Sequence, residues 1–142
     1  MEIRCVAVIG AGTMGAGIAQ VCAQSGWKTN LFDAFPEGLE RGMQRIDAFW
    51  DKGIARGKTT AQQKELWQAN LNTFSDMAEA VAGADLIIEA VPEIPDLKHS
   101  IFLNWTDSLQ NMQYSGPIHL HFLSPILLLQ RLVPKESLVC IF

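Results

Sequence analysis

Residues 5–16 read CVAVIGAGTMGA, and the fold follows from how that stretch divides. Cys5 to Ile9 is an unbroken apolar, largely β-branched run, the pattern of a strand covered on both faces and therefore of a parallel sheet. Gly10, Gly12 and Gly15 follow at once. Thr13 to Ser25 is then rich in small, helix-compatible residues and is closed by Gly26, a residue suited to the left-handed position that ends a helix. Buried strand, glycine turn and helix thus succeed one another without a linker.

Outward from that unit the alternation continues. Thr29 to Asp33 reads as a second strand, and Pro36 breaks the chain before the helical stretch EGLERGMQRIDAFW. Within it Leu39, Met43, Ile46 and Trp50 fall at i, i+4, i+7 and i+11, the stripe of an amphipathic helix. GIARGK is expected as a basic, glycine-punctuated loop, TTAQQKELWQAN as a helix, LNTFS as a short strand, and DMAEAVAGA as a small helix with Asp76 as N-cap. Asp85 to Pro92 reads as another buried strand, and Asp96 to Phe102 as the start of a further helix. Strands alternating with helices in this way specify a doubly wound α/β domain with a parallel sheet.

The glycines carry the chemistry. GAGTMG places Gly10, Ala11, Gly12, Thr13, Met14 and Gly15 between a strand and a helix, the context that makes GxGxxG meaningful. Gly10 permits the tight turn, Gly12 lets the backbone approach a pyrophosphate, and Gly15 allows close helix–strand packing. The amides at the helix start receive the anion. Asp33 lies 18 residues after Gly15 at a strand end, where a carboxylate accepts hydrogen bonds from an adenosine ribose and repels a 2′-phosphate. NAD is therefore favoured over NADP. The alternative, a tight βα turn with Asp33 only capping a helix, explains fewer of these coincidences. Ligands of open α/β sheets sit outside the carboxyl ends of the strands, which directs attention to Ala90, Val91 and Glu93. Glu89, in the apolar run just before them, either faces that ligand or caps the next element. Lys52, Arg56 and Lys58 either meet an anionic substrate tail or form a solvated face. The four tryptophans are expected in packing rather than as a stacking platform.

Composition excludes several other classes. With 49% hydrophobic and 18% charged residues, 142 residues suffice for one globular domain. A net charge of −4 offers no basic surface for nucleic acid. Three widely separated cysteines without CxxC spacing suit a reducing cytoplasm rather than a disulfide framework or a zinc site. The N-terminal apolar run is too short for a signal peptide, and no window reaches the roughly 18 apolar residues of a membrane span. His119 and His121 lack a third ligand at suitable spacing, so no metal is expected.

VAVIGAGTMGAGIAQVCAQSG, the strand-end LFD, the ERG helix and ADLIIEAVPE followed by LK together resemble the NAD-binding domain of the 3-hydroxyacyl-CoA dehydrogenase family, in order from residue 4 to about residue 102. The resemblance implies a Rossmann-type fold and oxidation of the 3-hydroxyl of an acyl-CoA with hydride passing to NAD. It implies pyrophosphate contacts at Gly10 to Gly15, ribose contact at Asp33, cofactor contacts at Glu93 and Lys98, and CoA contacts at Arg56 and Lys58. It also implies a homodimeric enzyme completed by a helical C-terminal domain, which is expected to be absent from these 142 residues. Catalysis in the family uses a serine in an SNTSSL segment and a histidine in a GxHFFNP segment paired with a later glutamate, the histidine taking the hydroxyl proton as general base. A non-catalytic dinucleotide-binding module, or a dehydrogenase of the 3-hydroxyisobutyrate type, shares the general layout.

The catalytic segments are not legible after Phe102. Reading each codon from its third base into the first two bases of the next forces Leu at Asn104/Trp105, Asp at Trp105/Thr106 and Ala at Met112/Gln113. The junctions from Gly116/Pro117 to Ser124/Pro125 permit S, N, T, S, S, L, S, I and T in order, and Cys140/Ile141 permits His. Residues 1–102 are thus expected to be the cofactor domain. Residues 103–142 are expected to be an out-of-frame rendering of the rest of it, inactive for want of the base. The rival expectation is a short homologue whose tail forms a final helix and strand.

Overall fold

The computed structural model describes residues 2–90 and the backbone of residues 138–141. The elements run β1 (Cys5–Ile9), α1 (Thr13–Gln24), β2 (Lys28–Phe32), α2 (Pro36–Ala55), α3 (Ala61–Asn70), β3 (Leu71–Phe74), α4 (Met77–Val81), β4 (Leu86–Glu89) and β5 (Leu138–Ile141). The strands form one sheet in the order β3-β2-β1-β4-β5, and each pair is parallel. This is the doubly wound arrangement expected from the alternation.

β1 lies at the sheet centre and is buried along its whole length. Its side chains alternate between two cores, as the two-residue period of a strand requires. Val6 and Val8 join Leu31 and Ile88 beneath α1 and α2, where Ile46 and Trp50 supply the buried part of the helical stripe. Cys5, Ala7 and Ile9 join Phe32 and Ile87 on the other face, under Met77, Ala80 and Val81 of α4.

Local signals set the helix ends. Gly26 takes φ 85°, with its N–H donating to Ala23 O and that of Trp27 to Cys22 O, a Schellman closure of α1. Thr60 and Gln63 form a reciprocal capping box at α3, and Asp76 caps α4 by accepting from the N–H of Glu79 at 2.9 Å. At the amino edge of the sheet, Asp85 Oδ2 accepts from the N–H groups of Arg4 and Cys5, each at 2.9 Å. Those two amides hold the Asp85 carboxyl below its ordinary value.

Most element bounds fall within a few residues of expectation, with β2 ending at Phe32 and β4 at Glu89, but three departures matter. α2 continues through Gly53 to Ala55, so only the end of GIARGK is loop. The chain folds straight back there: Lys58 N–H donates to Gly53 O at 2.9 Å, and a Cβ on Gly53 would meet Thr59 Cγ2 at 2.9 Å. Gly53 is a contact point inside the helix rather than its end. α4 stops at Val81 because Gly83, at φ 71°, turns the chain into β4. Leu138–Ile141 adds a parallel strand from the stretch in which no consistent periodicity is legible, its apolar residues extending the sheet beside β4. The helix expected over 96–102 lies outside the described residues.

Candidate functional site

The carboxyl ends of three strands meet at the glycine turn. Ile9 pairs with Phe32 on one side and Glu89 on the other. The ladder runs one residue further on both sides, with Gly10 N–H donating to Phe32 O and Ala90 N–H donating to Ile9 O, each at 2.8 Å. Gly10 then takes φ 102°, which a residue with a Cβ rarely adopts, and reverses the chain into α1. Gly15 seats the helix on that turn: a Cβ there would lie 1.7 Å from Gly10 O and 3.5 Å from Ala90 Cβ.

Gly12 is the N-cap of α1, and among the described residues a Cβ built on it meets nothing within 4 Å. The turn is therefore open on the side of Gly12, Thr13 and Met14, all exposed. Glycine brings no side chain to cap the first amides, and the first turn of α1 has no acidic residue. The positive end of the helix dipole is left for an anion from outside.

Asp33 follows β2 directly. Its Oδ2 accepts from Ala11 N–H at 2.8 Å and its Oδ1 from Phe35 N–H at 2.9 Å, so the carboxylate is fixed between the glycine turn and the start of α2. α2 approaches the same turn from the side: a Cβ on Gly42 would meet Ala11 O at 2.7 Å. Gly10, Ala11, Gly12, Thr13, Met14, Gly15, Asp33 and Ala90 thus gather at one sheet edge. An open glycine turn, uncapped amides and an adjacent fixed carboxylate suit the pyrophosphate and ribose of a dinucleotide. Val91, Glu93 and Lys98 lie outside the described residues. Glu89 is buried in register with Ile9.

Arg56 and Lys58 are elsewhere. They follow α2 at its far end, about 30 Å along the helix from Pro36 at 1.5 Å per residue. There, with Lys52, Phe49 and Trp67, they line a groove of about 220 Å³. Trp50 and Trp67 pack with ring centroids 5.7 Å apart, and Trp50 Nε1 is buried without a hydrogen-bond partner among the described residues. α3 is tied to α2 by Lys64, whose ammonium lies 2.7 Å from Asp51 and 3.6 Å from Asp47. The hydrogen bond to Asp51, aided by Asp47 and opposed by desolvation, raises the Lys64 pKa.

The sequence reading passed over Gly42 and Phe35. Gly42 carried a signal, since it interrupts the apolar stripe with the smallest residue on the face that meets the turn. Among the described residues no group of three His, Cys, Asp or Glu could hold a metal ion, and no helix is long and apolar enough to cross a membrane.

Comparison with known proteins agrees with this geometry. Residues 5–113 match the family model for the NAD binding domain of 3-hydroxyacyl-CoA dehydrogenase. The 3-hydroxyadipyl-CoA dehydrogenase of Escherichia coli K12 is 41% identical over 102 residues, covering 72% of this chain and 21% of that protein. The mitochondrial hydroxyacyl-coenzyme A dehydrogenase of Rattus norvegicus is 33% identical over 150 residues, covering 87% of this chain and 48% of that protein. Among solved structures, the 3-hydroxybutyryl-CoA dehydrogenase of Escherichia coli K12 superposes with a TM-score of 0.73 at 32% identity, covering 99% of this chain and 25% of that one. The chain thus spans between about a fifth and a half of the length of these relatives. With an NAD-binding domain matched over residues 5–113, the chain belongs to the 3-hydroxyacyl-CoA dehydrogenase family.

Proposed function

We propose that this chain is the cofactor half of a cytoplasmic enzyme that oxidises the 3-hydroxyl of an acyl-CoA and passes hydride to NAD. The observation that carries this reading is the glycine turn tied to Asp33 through the amide of Ala11, within a chain that belongs to this family. Gly10 to Gly15 hold the pyrophosphate on the open start of α1, and the Asp33 carboxylate receives the ribose hydroxyls. Ala90, Val91, Glu93 and Lys98 complete the cofactor contacts. Arg56 and Lys58, with Lys52 beside them, present cationic groups to the phosphates of CoA at the distal groove. NAD, when bound, accepts the hydride. The chain's own residues bind and orient it.

The base that takes the hydroxyl proton is encoded out of frame. Ordered agreement of the codon junctions from 116 to 125 with SNTSSLSIT supports this, as does the Cys140/Ile141 junction, which permits histidine. Cys140 pairs with Ile88 and Ile141 with Glu89, so this junction falls at the carboxyl end of the sheet, one strand from β1 and its glycine turn. The 142-residue chain binds NAD weakly and does not turn over. Homodimer formation belongs to the whole enzyme.

The test is to sequence the gene around codon 102 and to express it with the frame restored. The expected result is NADH oxidation with acetoacetyl-CoA by the restored protein and none by the 142-residue chain. Turnover by the 142-residue chain, or shifted codons that do not spell SNTSSLSIT, contradicts the proposal.

A further inference from the structure

Phe35 occupies a place that the fold alone does not explain. It is the N-cap residue of α2, at φ −111° and ψ 120°, and supplies no side-chain cap. Ser, Thr, Asp or Asn at such a position accept a hydrogen bond from the first turn and stabilise the helix. The ring gains little from burial in exchange, since Phe35 is 50% exposed. Its backbone is nonetheless held firmly. The N–H of Phe35 donates to Asp33 Oδ1 at 2.9 Å, and its carbonyl accepts from Gly38 and Leu39 at 2.9 and 3.1 Å. Pro36 follows with its restricted φ.

A flat apolar ring, half bare, is thus carried on a fixed backbone two residues from the carboxylate on which the cofactor's adenosine ribose is proposed to rest. The group attached to that ribose is a purine, which has two π faces and needs a wall rather than a hydrogen-bond code. We propose that Phe35 is the stacking wall for the adenine of the dinucleotide, a specificity residue for the adenosine end of the cofactor. The inference rests on the NAD-binding reading above. It explains why an aromatic stands where a polar cap would serve the helix better.

The test compares the 142-residue chain with its Phe35→Ser and Phe35→Leu variants, each titrated with AMP, NAD and nicotinamide mononucleotide and melted without ligand. Stacking of one base on an aromatic side chain corresponds to about a tenfold change in affinity. The expected result for Phe35→Ser is about tenfold weaker binding of AMP and NAD, unchanged binding of nicotinamide mononucleotide, and a melting temperature no lower than wild type. Phe35→Leu, which keeps apolar bulk but loses the ring face, reproduces the loss of AMP affinity and covers the case in which the serine variant folds poorly. A wild-type chain that binds NAD while both variants bind AMP equally well overturns the inference alone. A wild-type chain that binds neither AMP nor NAD overturns the NAD-binding reading and the inference with it.

Discussion

The N–H of Ala11 donates to Asp33 Oδ2 at 2.8 Å, joining the glycine turn to the end of β2 across 22 residues of sequence. The contact fixes the carboxylate before any ligand arrives. A ligand that meets an oriented group loses less free energy to ordering it, so this tether counts toward affinity as well as geometry.

Replacing Asp33 by alanine removes the proposed ribose acceptor and releases the Ala11 amide. Hydrogen bonds to charged groups contribute about 1.5–3 kcal/mol, so NAD affinity is expected to fall roughly 10- to 100-fold. Asp33→Asn keeps the shape but removes the charge that repels a 2′-phosphate, so the preference for NAD over NADP narrows. Titration of both variants with both dinucleotides measures the two effects.

Gly15→Ala is expected to damage fold and site together. The added Cβ would lie 1.7 Å from Gly10 O, a backbone atom that cannot swing aside. Overpacking of this kind costs about 1–3 kcal/mol, read as a lower urea midpoint, and α1 must also move off the turn proposed to receive the pyrophosphate. A variant with wild-type stability and NAD affinity would show that the helix is not seated as described.

Asp85 predicts a specific acid sensitivity. Its folded pKa is lowered by the amides of Arg4 and Cys5, so its contribution is fully present above the unfolded value. It is lost as pH falls through the folded one. Asp85→Ala should therefore melt below wild type at pH 7, and the gap should narrow as the pH approaches the folded pKa of Asp85. Melting curves across that range check the sign; a gap that widens on acidification is incompatible with it.

Lys64 is expected to matter modestly. α3 contributes no buried residue, and Lys64 bridges it to Asp47 and Asp51 of α2, the latter 62% exposed. An ion pair so open to solvent contributes about 0.5 kcal/mol, and salt screens it. Lys64→Ala should lower the urea midpoint slightly in dilute buffer and much less in about 1 M salt, where the Debye length falls to about 3 Å.

The sequence discloses those features whose cause is local. CVAVI announces a strand buried on both faces, Gly26 the end of α1, Asp76 a cap, and GAGTMG the glycine turn beside Asp33 at which we propose a dinucleotide binds. What it hides depends on distant chain. Asp85 becomes a clamp only because β4 pairs with β1 in the register that brings it to Arg4, 81 residues away. Gly53 reads as a helix breaker until the returning Thr59 is seen against it, and Gly42 is just a small residue until α2 is laid beside Ala11. β5 is foreseen only by the rival reading of the tail as a final helix and strand, because pairing with β4, not sequence periodicity, makes Leu138–Ile141 a strand.

The most direct test of the whole account is calorimetric titration of the 142-residue chain with NAD and, separately, with NADP. The account predicts saturable binding of one NAD per chain, with NADP weaker by about tenfold or more because its 2′-phosphate meets the Asp33 carboxylate. Absence of NAD binding by the folded chain, or tighter binding of NADP, would contradict it.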